Sequence, residues 1–342
     1  MHSKTKDIVE NDFLTYISKT KELVDRKLSE FTVNLSSSSL FPQLKYALLS
    51  EGKRLRPIMV LLSTQSVGGD RNKVMPLALA FELLHTATLV HDDIIDKDYS
   101  RRGVSAVHEK WSVEDAILVG DCLISLAVDL ISDYSTQTVK IAAKTGIELC
   151  DGEYMDITQS LKTTTEEEYF AKIKRKSASL FRTAAQCGAI EGGGSPQEVK
   201  SLALFGEHLG IAYQLQDDLQ DLMTGKYVGD LINGRVTLPI IHLYRHSNSE
   251  TRTILEKMAK NETVSNGVTE GLVGMQESIA YCRQKIIKNV NTALKNIAIL
   301  KESIFKAYLK QAPFFVVSKE IVGSIQHVAP YSFSEKMTKS VL

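Results

Sequence analysis

Apolar residues recur along this chain at a helical period almost from end to end, and no stretch alternates convincingly as a strand would. Residues 8–31 are predicted as an amphipathic helix with Leu14, Ile17, Val24 and Leu28 on one stripe. The serines at 36–39 and Pro42 break that pattern. A short helix over 42–50 follows, with Gly52 placed to cap it. Pro57 falls in the first turn of a helix over 58–67. After a turn at Gly68, Gly69 and Asp70, residues 76–90 are rich in Leu and Ala, the pattern of a buried helix. Further helices are predicted over 114–132, 138–158 and 166–187. Residues 191–196 form a Gly-rich loop, and Pro196 opens a helix that carries the apolar run 202–222. Residues 224–235 read as a second Gly-rich loop, 237–240 as the start of another helix, and 315–322 as an apolar packing segment. The pattern predicts an all-α chain.

Composition narrows the class. Of 342 residues, 43% are hydrophobic, enough for a large core. The chain reads as one domain over 1–342, with 1–7 and 328–342 loosely held. The formal net charge is +0, with no long basic run, which argues against nucleic acid as a partner. Residues 1–7 lack the apolar core of a signal peptide. No apolar run reaches about eighteen residues without a charge, so no membrane span is expected. Cys122, Cys150, Cys187 and Cys282 stand singly, with no C-x-x-C pair. That suits buried thiols and a cytoplasmic protein rather than a disulfide frame or a zinc site.

The candidate chemistry gathers where the apolar run 76–90 ends, in His85-Thr86-Ala87-Thr88-Leu89-Val90-His91-Asp92-Asp93-Ile94-Ile95-Asp96. On a helix, Asp92 and Asp96 share a face and Asp93 is turned by about 100°. Carboxylates crowded at an apolar helix end need a cation among them, and oxygen donors of this kind suit Mg²⁺. Acidic runs at helix ends are common, and most are solvated faces. The balance shifts because the same spacing recurs at Asp217, Asp218 and Asp221, again at the end of an apolar helical run. Two such clusters face to face would form a six-carboxylate cage. Because Mg²⁺ takes few carboxylates and completes its shell with phosphate oxygens, the cage implies a diphosphate-like anion.

Cations flank both clusters. Gly52-Lys53-Arg54-Leu55-Arg56-Pro57 places three of them beside a helix start, where free N–H groups also attract anions. By itself this stretch would read as a solvated basic loop. Arg101 and Arg102 follow the first cluster closely, and guanidinium forks match phosphate oxygens. Lys172, Lys174, Arg175 and Lys176 lie on the helix over 166–187, and most are expected to face solvent.

Together these motifs, in this order, resemble the all-trans polyprenyl diphosphate synthases over nearly the whole chain. The resemblance rests on residues 52–57, on Asp92-Asp93-Ile94-Ile95-Asp96 with Arg101-Arg102-Gly103, and on Lys176-Ser177. It continues through Gln214-Leu215-Gln216-Asp217-Asp218-Leu219-Gln220-Asp221, Gly225-Lys226 and Thr237-Leu238-Pro239. It implies an all-α bundle around a deep central cavity, usually a homodimer, working as a prenyltransferase. By the resemblance, Asp92, Asp93, Asp96, Asp217, Asp218 and Asp221 hold Mg²⁺, three ions in the family, with Mn²⁺ able to substitute. Arg101, Lys176, Ser177, Gln214 and Lys226 would contact an allylic diphosphate. Lys53, Arg56, His85 and Arg102 would bind isopentenyl diphosphate. His85 by itself would be called a satisfied core histidine. Asp156 matches an aspartate near the reacting carbons, with weaker support. Two departures stand out. Lys226 to Arg235 is one residue shorter than the family spacing and ends in arginine, and Ser177 replaces the commoner threonine.

Rival readings are a class I terpene cyclase, a non-catalytic subunit of a heteromeric synthase, and a plain structural bundle. A cyclase's second metal motif normally ends in Ser and Glu; a silent subunit would be expected to have lost a cluster; a structural bundle leaves the carboxylates unexplained. Product length is expected from the wall upstream of the first cluster. Ala87 and Thr88 are small, and Leu84 and then Phe81 follow on the same face. A floor at Phe81 lies roughly 9 Å beyond Ala87. That predicts a product of about five or six isoprene units (C25 to C30), or C20 if Leu84 already blocks.

Overall fold

The computed structural model describes residues 2–262 and 272–317. The polar tail expected over 328–342 lies outside them. The chain opens with α1 (His2–Val33), which starts before the Ile8 that periodicity suggested. α2 (Phe41–Leu48), α3 (Leu55–Ser66) and α4 (Met75–Ile95) follow. A hairpin of two-residue strands, β1 (Ser100–Arg101) and β2 (Val104–Ser105), comes next. Its turn residues Arg102 and Gly103 have φ of 53° and 79°, the left-handed pair that a tight two-residue hairpin requires. Strands this short leave no alternation to read in the sequence.

Beyond the hairpin lie α5 (Val107–Lys110), α6 (Val113–Ser132) and α7 (Thr136–Thr158). The helix expected over 166–187 is interrupted. α8 (Glu166–Ile173) passes through a π-helical turn at Lys174–Ala178 into α9 (Ser179–Glu191). α10 (Pro196–Thr224) begins on a capping box in which Ser195 and Glu198 satisfy each other's backbone N–H groups. The loop expected over 224–235 contains α11 (Tyr227–Ile232). α12 (Leu238–His246), α13 (Ser249–Ala259), α14 (Met275–Asn296) and α15 (Ile304–Val316) complete the described chain.

α4 is apolar nearly all round, so it must be enclosed. It packs against α3, α6 and α9, and Phe81, Leu77, Ala80 and Leu83 are fully buried. α10 packs against α9 and α14, and its lower half joins a second apolar core with α12 and α14. α9 and α10 approach closely at Gly206, where any Cβ would lie 2.4 Å from the Phe181 carbonyl oxygen. The two aspartate-bearing helices therefore end beside one cavity. Among the described residues no helix is long and apolar enough to cross a membrane.

Candidate active site

The end of α4 and the last turns of α10 line a cavity of about 1240 Å³. Asp92 and Asp96 enter it from α4, and Asp217, Asp218 and Asp221 from α10. Asp93 does not. It is buried behind the helix, where Arg101 donates to it. Of the six carboxylates expected to face one another, five line the cavity, and Asp93 holds Arg101 instead. Asp218 is anchored at the back of the cavity. It accepts from the Tyr169 hydroxyl and, at 2.8 Å, from Gln214 Nε2, while Ser177 donates to Gln214 Oε1 at 2.6 Å.

The π-helical turn supplies the next element. A π-bulge inside a helix is often found at a functional site. Here it turns Lys176 toward the carboxylates, 2.7 Å from both Asp156 Oδ2 and Glu153 Oε2. Lys172, one turn earlier, donates to Asp156 Oδ1 at 2.7 Å. α7 reaches the bulge closely because residue 152 is glycine: a Cβ there would lie 2.4 Å from the Lys176 backbone nitrogen. Of the four cations expected mostly to face solvent, Lys174 is exposed, but Lys172 is buried and Lys176 is inside the site. Asp156 and Glu153 draw those two inward.

Lys53, Arg56, His85 and Arg102 line the same cavity. Arg56 Nη1 lies 3.2 Å from His85 Nε2, and its guanidinium stands 4.4 Å from the centre of the Phe181 ring. Desolvation, reinforced by Arg56 and Arg102, holds His85 well below the usual imidazole range, so the ring is neutral. Arg102 donates to the Glu51 carbonyl. Lys226 extends toward solvent, 3.9 Å from Asp221. Arg235 crosses the mouth: Nη1 lies 2.9 Å from Asp96 Oδ2, and Nε lies 3.2 Å from Asp230 Oδ1.

The carboxylates are short of positive charge. Burial, opposed by Lys176 but reinforced by Glu153 and Asp96, pushes Asp92 up to about 8. Burial likewise pushes Asp218 up to about 7, despite its hydrogen bonds from Tyr169 and Gln214, and it raises Asp217 and Asp221. Hard oxygen donors whose ionised forms lack a counter-charge fit a divalent cation. Among the described residues no three carboxylates, imidazoles or thiolates converge on one point.

This arrangement, carboxylate rows on two helices and a group of cations lining one cavity, accompanies a direct match of sequence. The polyprenyl synthetase family pattern matches residues 38–274. The chain belongs to the polyprenyl synthetase family. It is 31% identical over 312 residues to the geranylgeranyl diphosphate synthase of Methanosarcina mazei, a match covering 87% of this chain and 95% of that one. It is 30% identical over 322 residues to the octaprenyl diphosphate synthase of Haemophilus influenzae, covering 90% and 98%. Its fold is similar to a polyprenyl synthase from Caulobacter crescentus CB15 solved with calcium and isoprenyl diphosphate. There the TM-score is 0.82 at 25% identity, covering 90% of this chain and 97% of that one. Family membership makes the chain an all-trans prenyl chain-elongating enzyme, a prenyltransferase with the all-α isoprenoid synthase fold.

Four parts of this polyprenyl synthetase site were not legible in the sequence: Glu153, Tyr169, Lys172 and Tyr213 all border the cavity or hold its residues. Tyr213 ends an apolar run and Tyr169 follows three glutamates, and neither carries a motif. Of the residues expected to set product length, Thr88 lines the cavity, with Leu89 beside it. Ala87 and Phe81 are 1% and 0% exposed in the α4 core, and Leu84 is half-buried against that core.

Proposed function

We propose that the chain condenses isopentenyl diphosphate head to tail with an allylic diphosphate, releasing diphosphate in a Mg²⁺-dependent reaction. The observation that carries this reading is that two helix-borne carboxylate rows and the cations Lys53, Arg56 and Arg102 line one cavity. Asp92, Asp96, Asp217 and Asp221 would hold the metal ions, with Asp218 and Asp93 supporting them from behind. When bound, Mg²⁺ supplies the positive charge that draws off a diphosphate leaving group.

Lys176 and Lys226, with Arg101, add fixed cations for the allylic diphosphate. Lys176 is fully charged in that role, because Asp156, Asp92 and Glu153 outweigh the burial that opposes its protonation. Gln214 and Ser177, hydrogen-bonded to each other, orient Asp218 and the first carbons of the allylic chain. Lys53, Arg56 and Arg102, with neutral His85 donating or accepting a hydrogen bond, bind the second diphosphate. Leu89, Leu180 and Ile173 give the cavity its apolar walls, which keep water from the allylic cation. The double bond of isopentenyl diphosphate forms the new C–C bond, and the proton lost from the adducted carbon passes to the released diphosphate.

Product length is proposed to be C25 to C30, with Thr88 at the cavity edge and Leu84 then Phe81 above it on α4. A homodimer is proposed as the working form. α6 and α7 carry exposed Ile117, Leu118, Val128, Ile147 and Ile157, an apolar surface that a second copy would cover. The function is tested by incubating labelled isopentenyl diphosphate with each of several allylic starters and Mg²⁺, then separating the dephosphorylated products by chromatography. Consumption of an allylic substrate without isopentenyl diphosphate would favour a cyclase instead.

A further inference from the structure

Between Lys53 and Arg56 stands a third cation, Arg54, which borders the cavity but has its guanidinium taken up by protein groups. Arg54 is 5% exposed and caps α3 in a left-handed backbone, with φ 50° and ψ 35°. That backbone is costly for a residue with a Cβ, so something must hold it. The side chain is tied to three helices or their ends. Nε lies 2.7 Å from Asp25 Oδ1 on α1, and Nη1 lies 2.6 Å from Glu82 Oε1 on α4. Nη2 donates to the Ser50 carbonyl at 2.7 Å, just beyond α2.

Glu82 is the key partner. It is 2% exposed, sits one helical turn before His85, and borders the cavity. Its second oxygen, Oε2, is buried with no hydrogen-bond partner. Its charge acts on Arg56 and Arg102 as well as on Arg54. A buried carboxylate takes the nearest available guanidinium, because an unpaired buried charge is strongly disfavoured. If Arg54 did not hold Glu82, Arg56 or Arg102 would be drawn to it.

We propose that Arg54 is a positioning residue for the isopentenyl diphosphate subsite: it occupies Glu82 and Asp25, leaving Lys53, Arg56 and Arg102 free for the ligand's diphosphate. This rests on the subsite assignment made above. By turning its own side chain inward through a left-handed backbone, Arg54 also presents its neighbours Lys53 and Arg56 to the cavity. Its effect is expected on one of the two diphosphates, since the groups it holds, Asp25, Glu82 and the Ser50 carbonyl, include none of Asp92, Asp217 and Lys176.

The test is steady-state kinetics with both substrates varied, joined to calorimetric titration of isopentenyl diphosphate into the protein. Arg54→Gln is expected to raise KM and Kd for isopentenyl diphosphate about tenfold or more, because unpaired Glu82 captures a ligand-binding arginine. KM for the allylic substrate should stay within about twofold. Adding Glu82→Gln to Arg54→Gln removes the competing charge and should recover at least about threefold of the lost affinity. A merely structural role for Arg54 gives no such recovery. Should Arg54→Gln fail to fold, Arg54→Lys, which keeps one charge, is expected to show the same one-sided change at smaller size. Equal rises in both KM values, or a double variant no tighter than the single one, would overturn the proposal. Arg56→Ala serves as the control for the subsite itself. If it leaves isopentenyl diphosphate affinity unchanged, the subsite assignment fails and the role of Arg54 fails with it; if only Arg54→Gln is without effect, the assignment stands and the positioning role falls.

Discussion

Arg235 reaches Asp96 from a segment 139 residues further along the chain, placing Nη1 2.9 Å from Oδ2. The same guanidinium lies 3.6 Å from Asp98 and 3.2 Å from Asp230. It therefore ties the segment after the second aspartate row to the first row. Partly buried charged hydrogen bonds of this kind are worth about 1.5–3 kcal/mol. Arg235→Ala should raise the allylic KM by roughly ten- to a hundredfold and speed limited proteolysis between Gly225 and Gly234. Arg235→Lys should restore part of both. Unchanged proteolysis in Arg235→Ala would show that the contact does not hold the segment.

Asp92 and Asp217 stand on different helices and face the same cavity. If both hold metal, Asp92→Ala and Asp217→Ala should each lower turnover by about a thousandfold or more while leaving far-ultraviolet circular dichroism unchanged. Each should also lower the protein's affinity for Mn²⁺ in the absence of substrate, read by electron paramagnetic resonance. Near-normal turnover in both variants would remove metal from these carboxylates.

The raised carboxyl groups give a signed dependence of stability on pH. Asp218 and Asp92 have folded values of about 7 and about 8, against 3.8 when unperturbed. The folded chain then binds more protons than the unfolded chain between these limits. Stability from these groups is full below pH 4 and is lost as pH rises toward 8. With a chelator present, Tm should fall by on the order of 5 °C between pH 5.5 and 8.5. Asp218→Asn should flatten that fall, and added Mg²⁺ should counter it most at the high end. A chelated protein whose Tm rises through this range would contradict the burial argument.

Much of this site is legible in the residue pattern alone. The helical period and the repeated aspartate spacing place both rows at apolar helix ends, but the spacing alone groups Asp93 with Asp92 and Asp96, and its pairing with Arg101 shows only in the structure. What stays hidden depends on which way a side chain leaves a backbone that periodicity does not describe. The π-helical turn at Lys174–Ala178 rotates Lys176 inward, yet a run of Lys, Arg and Lys reads as solvated. Arg54 differs from Lys53 and Arg56 only through its left-handed backbone and its partner Glu82, which reads as a lone polar residue in an apolar helix. Tyr169 follows three glutamates in the sequence yet is fully buried, and its hydroxyl matters only because Asp218 lies beside it.

Product length turns on how the cavity continues along α4. Thr88 and Leu89 line it, while Ala87 and Phe81 are fully buried and Leu84 is half-buried. A growing chain that passes Thr88 meets Leu84 about 6 Å further up the helix and Phe81 about 4.5 Å beyond that. Thr88→Phe places a ring at the cavity edge, where there is room for it, and should shorten the main product by about two isoprene units. Ala87→Phe should shorten it too, but its ring must enter a packed core at a cost of about 1–3 kcal/mol, so Tm should fall as well. Leu84→Ala and Phe81→Ala open space behind the edge and should lengthen the product, the double variant more than either alone. Phe81→Ala carries a stability loss of about 3–5 kcal/mol from the cavity it leaves, which product binding would partly offset by filling that space. Chromatography of the dephosphorylated products reads all five variants on one scale. An unchanged distribution in Thr88→Phe and Leu84→Ala together would mean that the chain leaves the cavity along another helix and that α4 is not its wall.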